Sequence, residues 1–410
     1  MTNQMSLNRI IVLLIVVIVL VTVAVLFLKF VLSGTFGDNL EINIGEMPYV
    51  VREEVIDPEL YNEFLSSVDN TEVLGGEIAI VSVLKAELEA AQLAGKEKMW
   101  EAFSLDVLDG QYSKISQDHT YFFLYGLSYH GSSTVYMYTG RPSKVIPGQG
   151  IYNTSLYLRN TDGKEIRIAD NESYNDPLML TRIRSPKLSV NRDDFLYISQ
   201  SWNQSAREPS IENVDSWSIS VGHGLLSDNA TTTLFANGFG AHWILDGKYV
   251  VYLKSDGIYV KKYDRGADHL NERETPLQQF PYGYGYWAGF HMDVSNDGRY
   301  LLLSNPRPVE EGNATMDVLK LEKTNLVDAP VTARLVYRMP LPTGSNSYWP
   351  LFSPGNRFVS LQTRSSVDGT EYNSIIVFDL VDRRTVKTID FNDFYFDRSF
   401  NTDWLPYLDL

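Results

Sequence analysis

The chain of 410 residues has no cysteine, which excludes disulfide bonds, thiolate metal ligands and a lipid-modified cysteine anchor. Eukaryotic extracellular domains of this size usually carry disulfides, so the absence favours a prokaryotic cell envelope. Basic residues are also scarce, because 35 Lys and Arg stand against 51 Asp and Glu and leave a net charge of -16. That charge argues against nucleic acid and against docking on an anionic lipid surface.

Motifs for common chemistries are missing as well. No Gly-x-Ser-x-Gly occurs, and no glycine-rich phosphate loop precedes a helix. The six histidines, at positions 119, 130, 223, 242, 269 and 291, show no metal-ligand spacing. The sequence therefore predicts no cofactor, no metal and no catalytic residue.

One stretch has the beginning of a calcium loop. Asp293, Ser295 and Asp297 alternate oxygen-bearing side chains ahead of Gly298, but Ser304 stands where the loop needs a bidentate Glu. An ordinary turn, in which Asp297 accepts hydrogen bonds from its own backbone, is the preferred interpretation.

A long apolar run stands near the amino terminus. Residues 10–28 are apolar apart from Thr22, and at about 1.5 Å per residue they span a hydrocarbon layer of about 30 Å. A cleaved signal peptide is the alternative, but its apolar part is shorter and residues 32–34 form a poor cleavage site. We predict a membrane anchor over residues 10–32 that contacts lipid. Arg9 favours a cytoplasmic tail over residues 1–9 and an extracytoplasmic remainder.

Two segments follow the anchor. Residues 33–76 are acidic and predict a stalk with a short helix that begins at Pro58. Residues 77–110 predict a helical segment, because apolar residues recur at helical spacing from Ser82 to Phe103. The face of that helix includes Leu84, Leu88, Ala91 and Met99. It either packs on or within the first unit of the next domain, or it binds a partner in the same membrane complex.

A short pattern recurs along the rest of the chain: an apolar residue, turn-formers around an Asp or Gly, and then an apolar strand. Its centres are Asp118, Asp193, Asp246, Asp297 and Gly355. The steps between them are 75, 53, 51 and 58 residues, and such repeats with strands inside are typical of a β-propeller. We predict an all-β propeller over residues 111–410 with about six four-stranded blades, seven being the alternative. The long first step predicts an insertion between Gly140 and Pro186.

Three stretches resemble the repeat of TolB-like, WD40-like (PD40-type) propellers. They are residues 294–301, residues 349–358, and the strand 375–380 with the turn after it. The resemblance covers roughly residues 110–410 and implies the propeller fold, with almost nothing about function. Gly355-Asn356 stands where the repeat has Asp-Gly, and the Gly-His and Trp-Asp pairs of WD40 blades are missing.

Aromatic residues cluster just before the repeat centres. The candidate binding residues are Trp243, Tyr284, Tyr286, Trp287, His291, Tyr348 and Trp349. Tyrosines spaced by glycine offer rigid, amphipathic contact area for a peptide or a glycan. The alternative is that Trp243 and Trp349 wedge between blades.

The sequence thus predicts a single-pass membrane protein whose extracytoplasmic propeller binds or scaffolds protein partners in a cell-envelope complex. A hydrolase or lyase acting in the central channel, or a glycan or peptide receptor, is the alternative. Carboxylates and histidines that converge at the channel mouth would favour the enzyme, and an aromatic, weakly charged mouth would favour binding.

Overall fold

The computed structural model describes part of the chain after residue 56. The described ranges are 57–95, 101–114, 121–129, 133–140, 144–146, 150–152, 155–159, 165–169, 179–189, 193–203, 217–224, 231–254, 256–267, 269–279, 291–305, 315–326, 329–340, 346–367, 370–395 and 400–405. The predicted tail over residues 1–9 and the predicted anchor over residues 10–32 lie outside them. No helix among the described residues is long and apolar enough to cross a membrane.

The described chain consists mainly of short β-strands. Its two α-helices are α1 (Pro58–Ser67) and α2 (Lys85–Leu93), and a 3-10 turn covers His269–Asn271. The strands are β1 (Glu77–Ser82), β2 (Glu101–Asp106), β3 (Tyr112–Lys114), β4 (Tyr121–Tyr129), β5 (Ser133–Gly140), β6 (Lys144–Ile146), β7 (Gly150–Tyr152), β8 (Ser155–Arg159), β9 (Glu165–Ala169), β10 (Met179–Leu188), β11 (Phe195–Asn203), β12 (Trp217–His223), β13 (Thr231–Asn237), β14 (Phe239–Ile244), β15 (Tyr249–Lys254), β16 (Gly257–Lys262), β17 (Thr275–Gln279), β18 (His291–Val294), β19 (Tyr300–Asn305), β20 (Thr315–Lys323), β21 (Val331–Pro340), β22 (Asn346–Phe352), β23 (Phe358–Val367), β24 (Thr370–Asp379), β25 (Arg384–Asp390) and β26 (Phe400–Leu405).

These strands form antiparallel four-stranded sheets, each a propeller blade. Five sheets are each built from one continuous stretch of chain: β4-β5-β8-β9, β10 to β13, β14 to β17, β18 to β21, and β22 to β25. A further sheet has the order β26-β1-β2-β3, so it combines the last strand with the first three; we call it the closing sheet. The hairpin β6-β7 lies between β5 and β8, where the sequence predicts an insertion.

The first strand of each sheet contacts the first strands of its two neighbours. Strand β4 contacts β26 and β10, β14 contacts β10 and β18, and β22 contacts β18 and β26. These six inner strands therefore complete a circle around a central channel, as a propeller requires. The all-β propeller predicted from the repeats is confirmed.

The prediction of about six or seven blades within residues 111–410 needs correction. Five blades are each built from one continuous stretch of chain, and the sixth four-stranded sheet is the closing sheet, which residues 77–114 share with β26. The first repeat centre, Asp118, lies outside the described residues, and the strand that follows it, β4, is the inner strand of its sheet.

The second half of the predicted stalk packs on the propeller instead. Helix α1 begins at Pro58, as predicted, and Asp57 caps it by accepting hydrogen bonds from the amides of Glu59 and Leu60 at 3.1 and 3.2 Å. Its apolar face is buried against the blades β18 to β21 and β22 to β25. The buried residues of this segment are Leu60, Tyr61, Phe64 and Val68.

The predicted helix from Ser82 to Phe103 is wrong at both ends. Strand β1 ends at Ser82, α2 covers only nine residues, and β2 begins at Glu101. Pairing of β1 with β2, in which Ile80 lies opposite Phe103, prevails over the helical spacing of their apolar residues. Helix α2 thus lies in the connection between two strands of the closing sheet, which agrees with the first of its two predicted placements.

Apolar side chains from neighbouring sheets meet and form the core between blades. Clusters lie between β10–β13 and β14–β17, between β14–β17 and β18–β21, between β18–β21 and β22–β25 with α1, and between β22–β25 and the closing sheet. Because the sheets present both faces to neighbours, β15 is buried along almost its whole length.

Replacement of Phe64 tests whether α1 belongs to the propeller core. Its side chain is fully buried and its ring meets the Tyr300 ring edge-on, at 4.9 Å between centroids. We expect Phe64→Ala to lower the free energy of unfolding by about 3–5 kcal/mol, as for other buried Phe to Ala changes, in urea unfolding.

Leu93→Ala is the matched control, since Leu93 is 91% exposed on the other helix. Its effect should stay within about 0.5 kcal/mol. Equal, small effects of both substitutions would show that α1 is not part of the core.

Candidate functional site

Turns that join the inner strand of a blade to its second strand lie side by side at one end of the channel. Neighbouring turns contact each other: the Leu245 amide donates to the Gly298 carbonyl at 2.9 Å, and the Asn296 amide donates to Asn356 Oδ1 at 3.0 Å. A side chain at Gly247 would collide with Ser189 Oγ, 2.3 Å from the Cβ position. The turns therefore fix the relative positions of the inner strands that carry the site.

The turn at Asp297 shows which hydrogen bonds stabilise the repeated blade turn. Asp297 Oδ1 accepts hydrogen bonds from Ser295 Oγ at 2.6 Å and from the Arg299 amide at 3.1 Å. Gly298 has φ +70, a conformation that favours glycine. These bonds agree with the ordinary blade turn that the sequence analysis preferred, and no group of three potential metal ligands occurs among the described residues.

A cavity of about 90 Å³ lies beside these turns, between five of the inner strands. We call it the channel cavity. Its polar lining comes from Lys187 on β10, His242 on β14, Asp293 on β18 and Asp403 on β26, with Ser295 and Asn296 from the turn. The apolar lining is Leu188, Trp243, Val294, Gly298, Phe352 and Trp404.

His242 and Asp293 form a buried pair in the wall of the cavity. His242 Nδ1 lies 3.6 Å from Asp293 Oδ1, and Asp293 Oδ2 accepts a hydrogen bond from the Phe352 amide at 2.9 Å. Burial lowers the pKa of His242 well below its usual value, and the positive charge of Lys187 adds to this. Burial also raises the pKa of Asp293, which Lys187 and the backbone amides only partly offset. His242 is therefore neutral at pH 7.

Two tryptophans border the cavity, and each one bridges separate parts of the fold. Trp243 Nε1 donates to the Lys187 carbonyl at 3.3 Å, and its ring meets Tyr263 edge-on with 4.9 Å between centroids. Trp404 Nε1 donates to the Gly75 carbonyl at 3.0 Å. Trp243 thus connects β14 with β10, which agrees with the predicted wedge between blades, and it also lines the cavity.

A second aromatic contact lies further along the channel. The rings of His291 and Trp349 are 4.0 Å apart between centroids and tilted by 32°. His291 lies two residues before Asp293, on the same side of β18. Trp349 has φ +54 at the point where the pairing of β22 and β23 shifts register. The structure therefore brings together two of the predicted binding residues, which the bulge at Trp349 makes adjacent.

The other predicted site residues are distributed differently. Tyr284, Tyr286 and Trp287 lie outside the described residues, and Tyr348 is described only as part of β22. On the predicted partner helix, Leu88 is buried, Ala91 is half-buried, and Leu84 packs against the closing sheet's core and bridges to Phe394. Met99 lies outside the described residues. The binding roles of all these residues remain predictions.

The binding residues predicted from the sequence do not include five that line the cavity: Lys187, His242, Asp293, Asp403 and Trp404. Two of them occupy equivalent positions, because Lys187 and Asp293 each lie two residues before a serine that opens a blade turn. The amides of those serines, Ser189 and Ser295, make equivalent bonds to the carbonyls of Asp194 and Tyr300. Alignment of the turns would have shown a polar position facing the channel, whereas nothing local marks Asp403.

No family model and no curated protein matches the chain. Solved structures with a similar fold include Kuenenia stuttgartiensis hydrazine synthase, with a TM-score of 0.49 and 10% identity over 85% of this chain and 50% of that chain. This chain thus spans half the length of that structure. An oligogalacturonate lyase has a TM-score of 0.42 and 10% identity over 71% of both chains. A puromycin-hydrolysing peptidase from Mycobacterium tuberculosis has a TM-score of 0.42 and 12% identity over 72% of this chain and 44% of that chain. These likenesses concern the fold alone.

The two buried histidines predict a loss of stability in acid. Burial lowers the pKa of His291 to about 3 and that of His242 well below 6.5. The unfolded chain binds these protons near pH 6.5 and the native state does not, so the free energy of unfolding falls as the pH drops below about 6.5. Each histidine contributes up to about 1.4 kcal/mol per pH unit, for His291 down to about pH 3. Asp293 opposes this trend, since its raised pKa makes the native state bind a proton first.

Urea unfolding at several pH values between 7.5 and 5 measures the effect. His291→Gln should remove about half of the acid-induced loss of stability. His223→Gln, at a half-exposed position on β12, is the control and should leave the pH dependence as in wild type. If the free energy of unfolding of His291→Gln fell with pH as steeply as that of wild type, the lowered pKa of His291 would be contradicted.

Proposed function

We propose that this protein is a membrane-anchored, extracytoplasmic β-propeller that binds or scaffolds protein partners in a cell-envelope complex, and that the channel cavity receives a group of the partner. The anchor over residues 10–32 and the cytoplasmic amino terminus belong to the proposal on the basis of the sequence. The observation that carries the binding role is the cavity itself, where charged and aromatic side chains from five inner strands converge.

The size of the cavity suits one small group rather than a whole ligand. Its volume of about 90 Å³ is enough for several waters or for one side chain. A side chain or a chain terminus of a partner is of this size. The rest of the partner would lie on the propeller surface around the channel.

The charge of the cavity favours a cationic group. Two carboxylates, Asp293 and Asp403, line it together with one lysine, Lys187, and His242 is neutral. The whole chain carries a net charge of -16, which attracts basic partners over a longer range. Trp243 and Trp404 add rings against which an ammonium or guanidinium group can pack.

The described contacts do not support the enzyme alternative. A His and an Asp with shifted pKa values do converge in the channel, as catalysis would need. Both, however, are engaged in contacts between blades: Asp293 accepts from the Phe352 amide, and His242 hydrogen-bonds with the backbone of Met292. The pair therefore acts as part of the wall that shapes the cavity.

Neutralisation of Asp403 tests the proposal. Asp403 Oδ1 accepts a hydrogen bond from the Trp404 amide at 2.9 Å, and Asn can accept the same bond, so Asp403→Asn removes charge with little change of shape. In pull-downs from gently solubilised membranes we expect partner capture to weaken about tenfold, because loss of one half-buried charge contact costs about 1.4 kcal/mol. Capture by wild type should also fall as the salt concentration rises.

Asp246→Asn is the matched control. Its carboxylate is largely exposed on the turn between β14 and β15, at a position with φ +61 that Asn also tolerates. Equal capture by both variants would overturn the role of the cavity. Retention on immobilised glycans with no protein captured would replace the protein partner by a sugar.

A further inference from the structure

The turn of the last continuous blade, residues 353–358, lacks the carboxylate that its counterpart carries. In the turn 295–300, Asp297 accepts from a serine hydroxyl and from a backbone amide. In the turn 353–358 the equivalent position is Gly355, which has no side chain to accept these bonds. The remaining geometry is conserved, since the Phe358 amide donates to Ser353 Oγ at 2.9 Å as the Tyr300 amide does to Ser295 Oγ at 2.9 Å.

Glu72, from the segment before β1, supplies the missing carboxylate. Its Oε2 accepts from Ser353 Oγ at 2.8 Å and from the Arg357 amide at 3.0 Å, the two donors that correspond to those of Asp297. Its Oε1 accepts from the Gly355 amide at 2.8 Å. The Asp69 amide donates to the Gly355 carbonyl at 2.9 Å and fixes the segment a second time.

The space at Gly355 shows that only one carboxylate fits. A Cβ added to Gly355 would lie 2.6 Å from Glu72 Oε2 and 3.0 Å from the Cβ of Asp69. A side chain in the turn and the carboxylate of Glu72 therefore exclude each other. The Gly-Asn departure from the Asp-Gly repeat thus has a physical reason, because Gly355 leaves room for Glu72.

The same segment continues to the wall of the channel cavity. The Gly75 carbonyl accepts the indole hydrogen of Trp404 at 3.0 Å. Gly76 follows at φ +87, and a side chain there would meet the Leu405 carbonyl oxygen at 2.4 Å. Residues 69–76 therefore connect the turn 353–358 with β26, which carries Asp403 and Trp404.

We propose that residues 69–76 form a strap, that Glu72 locks this strap onto the turn 353–358, and that the lock positions Trp404 and Asp403 for partner binding. The last step rests on the proposed function. Glu72 is thus a positioning residue that acts on the cavity through the strap. Because the strap follows α1, it also connects the cavity with the part of the chain that leads to the proposed anchor.

The test distinguishes the loss of a carboxylate from the turn from the loss of the contact between the strap and the turn. Glu72→Ala removes the carboxylate from both. The double variant Glu72→Ala/Gly355→Asp gives the turn its own carboxylate at the position that corresponds to Asp297 and keeps Asn356 as the acceptor for the Asn296 amide, but leaves the strap unlocked. Hydrogen–deuterium exchange of residues 69–76 and 400–405 and the melting temperature are measured on the full-length protein without a partner. Partner capture is measured separately.

We expect Glu72→Ala to lower the melting temperature and to raise exchange in both segments about tenfold, since it removes three hydrogen bonds. The double variant should recover most of the melting temperature, whereas exchange stays high and partner capture stays weak. Glu72→Gln should fall between wild type and Glu72→Ala, because an amide oxygen accepts but the amide nitrogen faces other donors.

Two results would overturn the lock: unchanged exchange in Glu72→Ala, or wild-type exchange at residues 400–405 in the double variant. Wild-type capture by the double variant despite fast exchange would reject only the link to binding. If wild type captures no partner while the exchange results hold, the proposed function fails and the lock stands.

Discussion

The pairing of β26 with β1 is the interaction on which the rest of the structure depends. Antiparallel bonds join Glu77 to Leu405 and Ile78 to Trp404, more than 300 residues apart in the chain. Without this pairing, β1 would be an open sheet edge, and the apolar cluster between the closing sheet and its neighbour would lose Trp404. The pairing also completes the circle of inner strands. Closure of so long a loop costs entropy that grows only slowly with length, so a few strand residues suffice to offset it.

The circle of strands determines what the channel can contain. The inner strands line a common axis. Each is the edge strand of its sheet and pairs only with the second strand, so backbone groups as well as side chains face the interior. At the end of the channel where the turns lie, polar groups pair across blades: Asp293 with the Phe352 amide, and His242 with Asp293. A buried polar group must have partners, and here neighbouring blades supply them. Residues that line the cavity therefore also connect neighbouring blades.

The repeat pattern predicted the fold because each blade turn needs the same residue types close together in the chain. Asp297 and Gly298 satisfy a turn within six residues, so the same chemistry recurs wherever that turn recurs. The exceptions are informative. Gly355 breaks the pattern because Glu72 replaces the carboxylate from a distant position. The apolar spacing from Ser82 to Phe103 wrongly predicted one helix because β1 and β2 pair with each other. The spacing of apolar residues within one segment does not show whether another strand pairs with it.

The sequence alone determined the blade turns, the propeller class, the capped start of α1 at Pro58 and the aromatic character of Trp243, His291 and Trp349, since each depends on residues close together in the chain. Only the tertiary structure decided that the chain ends share one sheet, that Glu72 belongs to a turn more than 280 residues away, and that Lys187, His242, Asp293 and Asp403 line one cavity. These four residues lie on four different inner strands. Their proximity follows from closure of the ring, a long-range event in which distant strands pair, and no local pattern of residues encodes it.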